Sequence, residues 1–154
     1  MNGQMEPLSQ ERIDRHLKRM GLKVLKNPED GQSLVLLKED TRATALVVVA
    51  AEGSDSHILS VIAKIENVPP LGTEELLKRA NDWNNEHRWP RAFVGEGGLY
   101  ADFHVDLEKG VSEEQLRNFL LTAFLSLSRL LRWLEGMGEP DLVQLLRLLG
   151  LREE

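Results

Sequence analysis

Residues 80–107 read ANDWNNEHRWPRAFVGEGGLYADFHVDL, and this stretch decides the fold. Leu76, Ala80 and Trp83 follow helical spacing and so share one face. Pro90 cannot continue a helix, and it biases Trp89 toward extended backbone. A Gly95-Glu96-Gly97-Gly98 turn then leads into strict alternation. Leu99, Ala101, Phe103, Val105 and Leu107 point one way; Tyr100, Asp102, His104, Asp106 and Glu108 point the other. The stretch therefore predicts helix, proline break, strand, glycine turn, strand.

Upstream, Ile13, Leu17 and Met20 mark one face of a first helix, with Ser9 as its cap and Gly21 as its stop. Glu11, Arg12, Arg15, Lys18 and Arg19 form the other face, read as a solvated, mostly basic surface. Strand-like runs follow at 22–25, 34–37, 43–51 and 58–65, separated by turns such as Asn27-Pro28-Glu29-Asp30-Gly31. Residues 43–51 (ATALVVVAA) are apolar on both faces. Such a strand is central, or has a helix over one face and a partner over the other. Thr73 is the expected N-cap of the helix through Trp83.

Downstream, Ser112-Glu113-Glu114-Gln115 is a capping box, and Val111 with Leu116 fits a hydrophobic staple. Leu116, Phe119, Leu120, Ala123, Leu127, Leu130, Leu131 and Leu134 trace an apolar stripe as far as Gly136. A helix from 113 to 135 would be about 34 Å long, enough to span a small sheet and reach another subunit. Leu127, Leu130, Leu131 and Leu134 are therefore the candidate dimer contacts. After Pro140, Leu142, Leu145, Leu146 and Leu149 form a second short stripe that ends at Gly150. They are candidates either for docking another protein or for packing onto the same domain.

The pattern resembles the YbjN family of bacterial sensory transduction regulators. The residues that carry the likeness are Asn81, Trp83, Asn84, Trp89, Pro90, Phe93, the glycine turn, Leu99 to Leu107, and Gly110-Val111-Ser112-Glu113-Glu114. The family's fold is similar to that of type III secretion chaperones, small α+β domains that are often homodimeric and bind a segment of another protein. The resemblance thus implies one α+β domain over residues 8–150, with flexible termini at 1–7 and 151–154. The expected architecture is a mostly antiparallel sheet of about five or six strands, an N-terminal helix, one interrupting helix and C-terminal helices.

Composition narrows the function. The 154 residues are 42% hydrophobic and 29% charged, ordinary for one globular domain. The chain has no cysteine, which excludes disulfides, cysteine nucleophiles and Cys-ligated metals and fits a cytoplasmic protein. No apolar run suggests a spanning helix and the N-terminus has no signal-peptide pattern, so no membrane role is expected. A net charge of −6 argues against direct contact with nucleic acid. It suits a basic protein partner, a class that includes nucleic-acid-binding proteins.

No motif carries a reaction. Ser54, Asp55, Ser56 and His57 are contiguous in one turn, whereas a working triad is assembled from distant segments. Asp102, His104 and Asp106 share a strand face, but alternation alone places polar groups there. The glycine turn lacks a phosphate-loop pattern. Neither a metal nor another cofactor is expected, and the chain reads as a non-enzyme. Trp83 and Trp89 serve either as core anchors or, with Arg88 and Arg91, as an interface cluster, where Trp and Arg are enriched. His16 and His87 read as surface groups, and Asn81 and Asn84 as ties between the helix end and the next strand. The sequence therefore suggests a chaperone-like or regulatory protein-binding module acting as a homodimer. The alternative is a small-molecule sensor with its ligand between helix and sheet near Trp83 and Trp89.

Overall fold

The computed structural model describes residues 4–68 and 70–137. Ser9 caps α1 (Gln10–Arg19) by accepting the Arg12 amide at 3.2 Å, and Gly21, at φ 81°, lets the chain turn away behind it. Four strands follow: β1 (Val24–Lys26), β2 (Ser33–Lys38), β3 (Thr44–Glu52) and β4 (Ile58–Glu66). Then come α2 (Thr73–Glu86), β5 (Arg91–Gly95), β6 (Gly98–Asp106) and α3 (Glu113–Leu134). The strands form one antiparallel sheet in the order β1-β2-β3-β4-β6-β5. The α+β class and the six-stranded sheet are those the sequence predicts. Leu142, Leu145, Leu146 and Leu149 lie outside the described residues.

The helices gather on one side of the sheet. Ile13 and Leu17 of α1, Trp83 of α2, and Leu116, Leu120 and Phe124 of α3 share a buried cluster with Val35, Val47, Val61 and Ala101. The pleat explains which strand residues join it, since alternate side chains of each strand face the helices. Leu127, Leu130, Leu131 and Leu134 belong to this cluster as well, at 0–5% exposure. The stripe expected to meet a second copy is covered by the chain's own sheet.

Two local expectations change. The α2 cap is Gly72, with no side-chain cap bond, and Thr73 is already the first helical residue. Arg12 and His16 are buried, not on the solvated face, because the start of α3 brings a carboxylate to them. Arg12 Nε donates to Glu113 Oε1 at 3.2 Å, its Nη1 to the Glu6 and Pro7 carbonyls and its Nη2 to the Val111 carbonyl, all three at 2.7 Å. His16 Nε2 lies 2.6 Å from Glu113 Oε2. The Glu6–Val111 bridge completes this clasp.

The end of α2 is locked to β5. Trp83 is fully buried and donates its indole N–H to the Pro90 carbonyl at 2.8 Å. The Asn84 side chain donates to the Ala92 carbonyl and accepts the Ala92 amide, both at 2.9 Å. One asparagine thus satisfies both backbone groups of Ala92 and blunts the outer edge of β5, which would otherwise offer them to another strand. Asn81 is exposed instead.

Candidate functional site

Among the described residues, no helix lies on the far face of the sheet. Its residues are the other half of the pleat, and in β1 to β4 they are mostly apolar. The register aligns Leu25, Leu34, Val48 and Ile62 in one cross-strand row, and Leu36 with Leu46 in the next. Directly opposed side chains in such rows sit roughly 4.5–5.5 Å apart, so these six form a continuous surface. Leu25 is 59% exposed, Leu36 55%, Leu46 41% and Ile62 37%. Among the described residues seven large hydrophobic side chains are exposed, and these four share this face. Exposed apolar groups scattered singly need no explanation, but a contiguous patch does.

The rows continue into a polar and aromatic half. Leu36 and Leu46 run on to Lys64, Tyr100 and Phe93. Phe93 stacks on Tyr100 with centroids 5.5 Å apart, and the Arg91 guanidinium lies 4.5 Å from the Phe93 ring centre. Ile62 runs on to Asp102 and Arg91. Arg91 grips Asp102 with two bonds of 2.9 and 2.7 Å, and His104 Nε2 stands 3.1 Å from the same carboxylate. Burial raises the Asp102 pKa, but the hydrogen bonds and charges of Arg91 and His104 outweigh it and hold the carboxyl below its ordinary value. The Arg91 guanidinium rises correspondingly, chiefly through its hydrogen bond to Asp102. The Asp102, His104 and Asp106 face is thus arranged as an ion-pair cluster. Asp106 is spent on the Glu108 amide at 3.0 Å.

The sequence-derived tryptophan cluster divides over three environments. Trp83 is in the core, with His87 stacked on it at 3.6 Å and Trp133 edge-on at 5.4 Å. Trp89 is 46% exposed and meets Phe103 edge-on, with the Arg88 guanidinium 5.9 Å from its ring centre. Trp89 and Arg88 border a cleft of about 350 Å³ whose other wall is α3, at Thr122, Leu125 and Ser126. Arg91, beyond the buried Pro90, lies on the open sheet face instead. Leu25, Leu36, Leu46 and Ile62 were not singled out by the sequence. The one available signal was the strand apolar on both faces, of which Leu46 is part.

No helix among the described residues is long and apolar enough to cross a membrane. The family model for YbjN, described as "putative bacterial sensory transduction regulator", matches residues 9–136, which takes in all nine elements. No curated protein matches the chain.

Proposed function

The chain belongs to the YbjN family, and from that premise we propose that it is a non-enzymatic regulatory protein that binds another protein through the open face of its sheet. The observation that carries this reading is the contiguous row structure of Leu25, Leu34, Leu36, Leu46, Val48 and Ile62 on a sheet face over which no helix lies among the described residues. An extended apolar face beside a polar aromatic border is the anatomy of a docking surface, with apolar centre and polar rim. The partner is a protein that presents an apolar helix or segment. A net charge of −6 favours basic flanks on it, and a nucleic-acid-binding protein is one such class. A chaperone-like mode, in which the partner's segment is held until it is needed, belongs to the same reading. So does a cytoplasmic location, which the cysteine-free chain supports.

The unit of binding in this reading is one chain. A homodimer is the alternative assembly, and with the α3 leucines inside each copy it would have to form on this same open face. Light scattering at micromolar concentration is expected to give one chain's mass, 17.4 kDa. Twice that mass would assign the face to a second copy.

Paired substitution tests the docking reading. Leu36→Asp with Leu46→Lys places opposite charges on two exposed, directly opposed positions, so the fold should hold within about 1 kcal/mol. Capture of a specific protein from native extract should then fall at least tenfold, while Leu77→Asp, on exposed α2, leaves capture unchanged. Equal capture by both variants would sink the reading.

The cleft beside Trp89 favours a second reading, a small-molecule sensor. It predicts that a metabolite which shifts tryptophan fluorescence also raises the melting temperature, and that Trp89→Ala abolishes both effects.

A further inference from the structure

We propose that the cleft beside Trp89 binds a nucleoside monophosphate, with the base against Trp89 and the phosphate held by Arg88 and Arg129. The inference rests on the sensor reading of this cleft, and it names the class of ligand.

The first argument is that the cleft is already formed. One wall is a single stripe of α3. Thr122, Leu125, Ser126 and Arg129 recur at i, i+3, i+4 and i+7, about 10 Å along the helix. The other wall is the link from α2 to β5, residues 86–89, which leaves the helix axis at the extended cap residue His87. Ring packing joins the walls: His87 stacks on Trp83, and Trp133 of α3 meets both edge-on, at 5.4 and 6.3 Å. The Trp83 bond to the Pro90 carbonyl holds the far end of the link. A volume of about 350 Å³ falls within the usual range for small-molecule sites.

The second argument is the chemistry of the lining. Trp89 is 46% exposed, and its edge-on contact with Phe103 at 5.7 Å fixes the ring. An exposed, fixed indole is a stacking surface for a flat base. The His87 amide and Nδ1 both meet the Trp83 carbonyl, at 2.9 and 3.3 Å. A carbonyl oxygen only accepts, so Nδ1 carries the ring proton and Nε2 of the neutral ring is an acceptor. Among the described residues nothing donates to that Nε2, and an exocyclic amine of a base would. Ser126 Oγ donates to the Ala123 carbonyl at 3.0 Å and, like Thr122, can still accept from a ribose hydroxyl. Arg88 and Arg129 bring two guanidiniums, with one carboxylate, Glu86, against them. The cleft is thus locally positive on a chain of net charge −6, and guanidinium forks match phosphate oxygens. A cleft of similar size at Glu6, Asp55 and Glu108 carries three carboxylates and one lysine, the opposite sign.

Calorimetric titration of the full chain with adenosine monophosphate is expected to show one saturable site with a Kd below about 100 μM. Adenosine, which lacks the phosphate, and ribose 5-phosphate, which lacks the base, should each bind at least tenfold more weakly. Arg88→Gln should weaken adenosine monophosphate at least fivefold and leave adenosine unchanged. Trp89→Ala should weaken both of those ligands and leave ribose 5-phosphate unchanged. Both substitutions fall on exposed side chains, and circular dichroism melts confirm that each variant is folded. Leu36→Asp with Leu46→Lys, on the open sheet face, should bind as the unaltered chain does. Three results would overturn the proposal: no saturable binding of adenosine monophosphate, equal binding of ribose 5-phosphate, or an affinity that neither Arg88→Gln nor Trp89→Ala changes. If adenosine monophosphate fails to bind while another metabolite raises the melting temperature of the unaltered chain but not of Trp89→Ala, the nucleotide is removed and the sensor reading stands.

Discussion

Replacing Trp83 by alanine is expected to cost about 3–5 kcal/mol of stability, read from denaturant unfolding. The side chain is fully buried, and it stands where α2, β5 and α3 meet: Pro90 accepts its N–H, His87 stacks on it and Trp133 packs edge-on. Removal leaves a cavity as well as an unmatched Pro90 carbonyl. Trp83→Phe separates the two effects, because it keeps most of the volume and loses the hydrogen bond. Its expected cost is about 1–3 kcal/mol, the range for a buried polar group left unmet. A total stability of roughly 5–15 kcal/mol makes the alanine variant marginal. A loss below about 1 kcal/mol for Trp83→Ala would contradict its role as the anchor of this corner.

Arg12→Ala is expected to cost about 3–5 kcal/mol, the range for removing one partner of a buried ion pair. Arg12 is 5% exposed and supplies donors to three carbonyls as well as to Glu113. All four lose this donor at once, although Glu113 keeps His16 and the Glu6 and Val111 carbonyls keep each other's amides. Arg12→Lys should recover only part of the loss, because a compact ammonium cannot reproduce the planar fork of a guanidinium. The same clasp sets a pH dependence. Burial raises the Glu113 pKa, but hydrogen bonds from His16 and Arg12, with their charges, more than reverse this and hold the carboxyl below its ordinary 4.5. A carboxylate with a depressed folded pKa contributes stability above its unfolded value and loses it as pH falls through the folded one. Asp14 and Asp102, both below their ordinary 3.8, act with the same sign. The melting temperature should therefore fall as pH drops below about 4.5, and Glu113→Gln should flatten that slope. An unchanged slope would remove Glu113 from the account.

The fold was legible because its signals are local. Alternation through Leu99 to Leu107 gave β6, the glycine pair gave the hairpin, and Ser112 with Gln115 gave the start of α3. The tie of the helix end to the next strand was also readable, and of the two asparagines expected to make it Asn84 does so. Arg12 and His16 were misread because charge was taken as a sign of solvent. Their partner, Glu113, lies about a hundred positions away, and no periodicity connects them.

The candidate site was less legible, and for a tertiary reason. The α3 leucines form a stripe whose pattern is the same whether it meets the chain's own sheet or a second copy. Only the packed structure shows that the sheet takes it. In the same way, residues 43–51 announced two apolar faces without saying which one the helices cover. Leu25, Leu36 and Ile62 join Leu46 only through the strand register, which pairs positions from four separate runs.

The central claim is that a protein docks on the open sheet face, and site-directed photo-crosslinking reads it most directly. A photoreactive amino acid is placed at Leu46 and, in a separate protein, at Leu77, and each is irradiated in native extract. Both positions are exposed, at 41% and 52%, so accessibility alone does not distinguish them. The account predicts a discrete adduct heavier than the chain at Leu46 and none at Leu77, with the Leu46 adduct competed away by unlabelled protein. No adduct at Leu46, or the same adduct from both positions, would contradict it.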